Sequence, residues 1–329
     1  MSAPMSRRAF ITSVSSAAAV GALSRSGLSA RQATAARAKV ALVRTSDRKR
    51  GVAEVVRLLN VPGPKGKDVM IKPNFNTADP APGSTHSETL RQLMAELLER
   101  DARSLTIGER SGPPNTKKVM EDKGVFDLAR EMKASIVNFE DLADADWVAV
   151  SPAGTHWKSQ LYVPRLVAEA PYMVSTCCLK THGFGGVYSM SVKLAVGMTP
   201  KRLMREMHGS PDMRRMIAEI NTGYRPNLIV MDGVDAFVDG GPSQGKLVAA
   251  NVFVGGTDRV AVDAVGLAIL KELGANAAIM DRKIFEQEQL RRAVDLGLGV
   301  SGPDQIDLLT GDDPSREFAA RIKTRLAAG

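Results

Sequence analysis

Four basic side chains and a set of glycines carry the chemistry that this sequence could do. Lys72 closes the short apolar run Asp68 to Ile71, just before Pro73 and Asn74. Lys180 and His182 close a second run, Tyr172 to Leu179, and Lys193 follows the glycine cluster Gly183, Gly185 and Gly186. Ammonium groups beside glycine turns, where backbone amides are free and a helix begins, form sites for anions. Lys72, Asn74, Lys180, Lys193, Gly185, Gly186 and Gly241 are therefore the expected ligand-binding set, with His182 and His208 as candidates to move protons. A histidine can equally be a ligand or a capped turn residue, and surface lysines are commonly just solvated. Asp232 and Asp235 follow the apolar run Leu228 to Met231 and could hold a hard divalent metal through carboxylate oxygens. Asp258 has a simpler reading, as the N-cap of the helix that follows it.

Other chemistries are excluded by spacing. Gly241-Pro242-Ser243-Gln244-Gly245 has the letters of a serine nucleophile turn, but an extended run, Leu247 to Val254, follows it instead of a helix. Gly183-Phe184-Gly185-Gly186 fails as a dinucleotide fingerprint because Tyr188 stands at the third required position. The Gly63 to Asp68 segment lacks the spacing and the hydroxyl residue of a phosphate-binding P-loop. The two cysteines, Cys177 and Cys178, are neighbours in an apolar run. They would point to opposite faces of a strand and read as small core residues. Two thiols cannot hold an iron–sulfur cluster.

The elements that must position these groups alternate. Strands are expected at Val40 to Val43, Asp68 to Ile71, Leu105 to Ile107 and Ser135 to Phe139. Helices are expected at Val52 to Leu59, from Thr85 onward with a Thr85/Glu88 capping box, and at Val119 to Lys133. Such alternation predicts an α/β fold with a mostly parallel sheet covered by helices. Trp147 to Val150 and Gln160 to Val163 predict an irregular or antiparallel excursion. Beyond the central run come a helical stretch over Thr199 to Ile220 interrupted by His208-Gly209-Ser210-Pro211, a buried strand Leu228 to Met231 leading into an acidic, glycine-rich loop, and a helix from Asp258 to Leu273. In open sheets of this kind ligands bind beyond the carboxyl ends of the strands.

The chain has 329 residues and a formal charge of +8. Five arginines and no acid lie in residues 1 to 38. The remainder is only mildly basic and carries no reading motif for nucleic acid. Ser6-Arg7-Arg8-Ala9-Phe10-Ile11, the apolar segment Val14 to Leu23 and the small-residue sites Ala33-Thr34-Ala35 and Ala36-Arg37-Ala38 make a basic start, an apolar centre and a cleavage region. The paired arginines resemble a twin-arginine signal. The expectation is export by the twin-arginine translocation machinery, cleavage near residue 30–38, and a periplasmic protein of one domain, 39–329, possibly in two lobes, 39–150 and 151–329. The apolar segment is too short for a stable membrane span, which needs about 20 residues.

The motifs Ile71-Lys72-Pro73-Asn74, Gly108-Glu109, Leu179-Lys180-Thr181-His182, Lys193 with Gly197, His208, Asp232-Gly233, Gly240-Gly241-Pro242 with Gly245, and Asp258 to Asp263 occur in this order. With them the chain resembles the family named domain of unknown function 362. The resemblance implies an α/β domain of unsettled activity. Some relatives carry a ferredoxin-like cysteine module, which this chain lacks. The family pattern has asparagine after the second lysine, where Leu194 stands here, so one polar contact of that site is missing or replaced. Three readings stay open: an enzyme acting on an anionic, phosphate- or carboxylate-bearing small molecule or cofactor, a non-catalytic ligand-binding or cofactor-delivery protein, and a metal-dependent enzyme using Asp232, Asp235 and His182.

Overall fold

The computed structural model describes residues 37–329. The paired arginines and apolar segment of the expected export signal lie outside the described residues. Among the described residues eleven strands occur in chain order: β1 (Ala38–Arg44), β2 (Asp68–Lys72), β3 (Ser104–Glu109), β4 (Ser135–Asn138), β5 (Trp147–Val150), β6 (Leu161–Pro164), β7 (Tyr172–His182), β8 (Val187–Tyr188), β9 (Leu228–Gly240), β10 (Gly245–Gly256) and β11 (Ile306–Leu309). The main sheet has the order β11-β1-β10-β9-β7-β2-β3-β4, with β8 paired to the end of β7. Every neighbouring pair along that path is parallel except those of β10, which is antiparallel to both β1 and β9. This is the expected α/β class. The excursion is also found, as the separate antiparallel pair β5–β6.

β7 is the spine of the molecule. All eleven of its residues are buried, and both its main neighbours, β2 and β9, run parallel to it. Helices cover both faces of such a strand, which is why its sequence is a continuous apolar run and not an alternating one. Alternate side chains feed two cores: Met173, Cys177 and Leu179 join one, Tyr172 and Val174 the other. The first core is closed by the helix Arg259–Glu272, of whose 14 residues only Glu272 escapes burial. The second is closed by the helices Arg48–Leu59 and Ser87–Glu99, which present Val52, Val55, Val56 and Leu90, Leu93, Met94, Leu97 at helical spacing.

Chain order places the site. From β2 the chain moves outward through β3 and β4, then returns to lay β7 on the other side of β2. Strand order reverses there, and the crevice beyond the carboxyl ends of β2 and β7 is where an open parallel sheet offers room for a ligand.

Several boundaries differ from the sequence expectation. His86, not Thr85, caps the helix Ser87–Glu99, and Thr85 instead accepts a hydrogen bond from the Asn74 amide at 2.8 Å. The helix expected over Val119 to Lys133 is two, Thr116–Asp122 and Val125–Glu131, divided around Gly124. The interruption expected within Thr199 to Ile220 is found, between the helices Met204–His208 and Met213–Ile220. The largest change concerns the acidic loop: β9 runs on through Asp232, Asp235 and Asp239 and turns at Gly241 to Gln244 into β10. Those carboxylates belong to a paired strand, because strand pairing with β10 continues past the apolar run. Asp258 does cap the helix it precedes, accepting from the amides of Val260 and Ala261.

Candidate functional site

Lys72, Lys180 and Lys193 line one cavity of about 720 Å³ at the carboxyl ends of β2, β3 and β7. Each reaches it by a different route. Lys72 is the last residue of β2 and fully enclosed. It forms an ion pair with Glu109, the last residue of β3, and donates to the Pro73 carbonyl at 2.6 Å. The carboxylate of Glu109 also accepts from the amides of Phe75 at 2.8 Å and Arg110 at 2.9 Å. Burial pulls the Lys72 ammonium down and pushes the Glu109 carboxyl up, while the contact between them opposes both shifts. The pair is made by adjacent parallel strands ending in opposite charges at one level.

Lys180 lies on β7 and is also buried; its ammonium donates to the carbonyls of Gly83 at 2.5 Å and Pro242 at 3.0 Å. No carboxylate pairs with it among the described residues, and burial lowers its pKa to about 8. Lys193 sits on the short helix Ser191–Leu194, whose first amides, Ser191 at 2.7 Å and Val192 at 2.9 Å, donate to the buried carboxylate of Asp263. Burial first, then Lys180 and Arg110, bring Lys193 to about 8 as well. Burial holds the Asp263 carboxyl near 7 despite those two amides. Asp263 thus fixes the turn that aims Lys193.

Arg110 is the cation that sequence reasoning passed over. It is buried, lines the same cavity, donates to the carbonyls of Ser111 at 3.0 Å and Val196, and leaves its Nε without a partner. Burial lowers it to about 10. Its signal was present, since it follows Glu109 at the end of a strand beside β2. Lys201, Arg205 and His208 add positive or titratable groups to the lining, against Glu109 as its single carboxylate.

His182 ends β7 inside the cavity with a buried Nδ1 that has no partner. Burial, then Lys193, Lys180 and His208, hold it down to about 2, so the free site contains a neutral imidazole. It can accept a proton or hydrogen bond but does not enter as an imidazolium. His208 is exposed at the cavity; its Nδ1 lies 2.8 Å from the Met204 carbonyl oxygen, so it is the donor and Nε2 is left to accept. Asn74 also lines the cavity, donating to the Gly83 carbonyl at 3.3 Å.

The glycines act differently from the expectation. Gly185 and Gly241 do not cradle an anion, because their amides already donate to the carbonyls of Gly183 at 3.0 Å and Gln244 at 2.7 Å. None of Gly185, Gly186 and Gly241 is among the lining residues. Gly186 is needed for close approach: a Cβ there would lie 2.8 Å from the His182 Nδ1 and 2.9 Å from the Lys193 Cε. Gly197 does the same for the other side, where a Cβ would lie 2.8 Å from the Lys72 Nζ.

Asp232 and Asp235, the expected metal carboxylates, are engaged by protein donors. Arg48 takes both carboxylates, at 3.0 and 3.1 Å, and Asp232 further accepts from Thr89 at 2.5 Å and from the Val234 amide at 3.0 Å. Among the described residues no group of three or more His, Cys, Asp or Glu side chains is placed to share a metal ion. Cys177 and Cys178 are free thiols that line the cavity, and burial raises both above the usual thiol range.

An α/β protein with a cation-lined cavity at the reversal of its strand order is the class these features define. The chain belongs to the family described as domain of unknown function (DUF362), which it matches over residues 69–268, a span that holds every cavity lysine and Asp263. No curated protein matches it. Among solved structures it is similar to the lactate racemase apoprotein from Thermoanaerobacterium thermosaccharolyticum, at 15% identity over 85% of each chain and a TM-score of 0.45.

Proposed function

We propose that this protein is exported by the twin-arginine route and works in the periplasm as an enzyme on a phosphate- or carboxylate-bearing small molecule or cofactor. The observation that carries this reading is the charge imbalance of one cavity: Lys72, Arg110, Lys180 and Lys193 face it, and Glu109 is the only carboxylate in its lining. Burying a cation without a counter-charge is unfavourable unless something supplies one. A bound anion does so, and it meets several donors already held in place. Lys193 is the principal contact, since among the described residues no hydrogen bond or ion pair engages its ammonium, and Lys180 supports it. His182, neutral beside these cations, accepts a hydrogen bond from the ligand and becomes a proton acceptor only as the bound anion offsets Lys193 and Lys180. His208 at the mouth is the second group able to relay a proton.

Calorimetric titration with inorganic phosphate and sulfate tests the binding half. Each charge-assisted hydrogen bond lost from the anion costs about 1.5–3 kcal/mol, so Lys193→Ala and Lys180→Ala each weaken binding by about 10- to 100-fold. Unchanged affinity in both variants would sink the assignment. Mass analysis of material co-purifying with the natively exported protein identifies the ligand class directly.

A further inference from the structure

Resting on the anion-binding reading, we infer that the ligand is a head-and-ring molecule: a flat aromatic heterocycle that carries a phosphate, with the phosphate among Lys72, Arg110, Lys180 and Lys193 and the ring against Phe184. Size comes first. At about 720 Å³ the cavity falls in the range that holds drug-sized ligands, and a bare phosphate would leave most of it empty. The ligand therefore has a body as well as a head.

The lining describes that body. Beyond the cations it is largely apolar, supplied by Phe75, Met190, Leu194, Val196 and Met204. Phe184 stands at the mouth on the turn between β7 and β8 and is 75% exposed, more than any other large apolar side chain among the described residues. A phenyl ring left in water at the entrance of a cation-lined cavity is not explained by packing. Its one aromatic neighbour, His182, meets it at 80° with ring centroids 6.1 Å apart, an edge contact that leaves a phenyl face uncovered. Burial keeps that imidazole neutral, so it too is a flat uncharged surface.

The mouth also selects a ring over an alkyl chain. Arg205 is exposed there and has no carboxylate partner among the described residues, and Lys201 and His208 share the lining. Guanidinium and ammonium groups are attracted to the face of an aromatic system and gain nothing from a saturated chain. A heterocycle stacked on Phe184 would present its second face to them. Stacking of this kind tolerates different rings, so the heterocycle's identity is left to the groups deeper in the cavity.

The test separates head from ring. Full-length mature protein is titrated with pyrophosphate, adenosine, riboflavin, octyl phosphate, adenosine diphosphate and flavin mononucleotide. At least one of the last two is expected to bind about tenfold more tightly than pyrophosphate and than its own unphosphorylated nucleoside. Phe184→Ala is expected to weaken that probe about tenfold while leaving pyrophosphate within twofold, and Phe184→Tyr is expected to restore it. Pyrophosphate binding as tightly as both head-and-ring probes overturns the inference and leaves the anion site standing. Octyl phosphate binding more tightly than both overturns it in favour of a tail. No binding of pyrophosphate or of either head-and-ring probe overturns the anion reading and this inference with it.

Discussion

Raising the pH should strip the cavity of its affinity for anions at a pH where ordinary lysines are still fully charged. Lys180 and Lys193 are both brought to about 8 by burial, with Lys180 and Arg110 adding to the repulsion felt by Lys193. An anion binds the protonated amines, so above pH 8 each lysine must recover a proton before it can bind. At pH 9 a group of this kind is protonated about one-tenth of the time, which costs about 1.4 kcal/mol, or tenfold in Kd, for each lysine. Two such groups together give a fall of about a hundredfold between pH 7 and 9, modified by the coupling between them. Sulfate is the probe to use, because its own charge does not change over this range. Ionic strength is held constant, since screening would otherwise mimic part of the loss.

Isothermal calorimetry from pH 6.5 to 9.5, in buffers of different ionisation heat, reads both affinity and proton uptake. Uptake of one to two protons per sulfate is expected near pH 9 and almost none at pH 6.5. In Lys193→Arg the guanidinium stays charged throughout, so the fall should shrink to about tenfold. A Kd that changes less than threefold across the window, with no proton uptake, would show that these amines are not the groups that meet the anion.

The pair beneath the cavity should be sensitive in a different way. Glu109→Gln removes the carboxylate from a buried Lys72 and leaves that charge without compensation, a loss of about 3–5 kcal/mol that urea denaturation would detect as a lower midpoint. Gly186→Ala should weaken sulfate binding while leaving the midpoint nearly unchanged, because its methyl would press on the movable Lys193 and His182 side chains and not on backbone. Asp263→Ala strips the acceptor from the buried Ser191 and Val192 amides, so a loss of about 1–3 kcal/mol per orphaned amide should accompany weaker sulfate binding. For the free protein the sign of the lysine shifts is reversed relative to ligand binding. The unfolded chain holds protons on these lysines up to about 10.5 and the fold only to about 8, so their contribution to stability rises as pH increases through that window. Lys193→Met should flatten that rise between pH 7.5 and 9.5; an equal slope in both proteins would contradict the assigned shift.

The sheet was legible because burial on both faces writes itself into composition. β2, β3, β4 and β7 each appear as short apolar runs ended by a charged or polar residue, and β5–β6 appears as two runs around a proline-glycine turn. The lysines could be picked out for the same reason: a charge at the end of such a run stands where the strand meets the crevice. What failed was any inference needing a partner far along the chain. Nothing local to Asp232 announces that Arg48, on a helix that precedes it by most of the chain, will take its carboxylate. The extent of β9 was hidden because acids in a strand are unusual until a hairpin partner, here β10, supplies the pairing. Nor does a glycine-rich sequence tell which amides stay free: backbone carbonyls claim those of Gly185 and Gly241. The segment after Leu273, with helices Glu288–Asp295 and Asp313–Ala328 and strand β11, is rich in charged residues and has no apolar run of the kind that marks β7.

Two kinds of buried charge coexist in this fold, and the contrast bears on what the cavity is for. Arg48 with Asp232, Lys72 with Glu109, and Arg292 with Glu219 show that the chain can pair enclosed charges with carboxylates. Arg259 has no carboxylate, but it is satisfied by Asn221 and the Tyr224 carbonyl and lies over the Tyr224 ring at 4.3 Å. Lys180 and Arg110 are held by backbone carbonyls, Lys193 by no hydrogen bond among the described residues, and none of the three is paired with a carboxylate. Burial lowers the pKa of all three, Lys180 and Arg110 add to the shift at Lys193, and the three share a cavity with one already committed carboxylate. Such an arrangement lowers the stability of the empty protein, and replacing Lys193 by a neutral side chain would relieve it. A fold that can satisfy its other buried cations but leaves these three facing one space is arranged around a negative charge that arrives from outside.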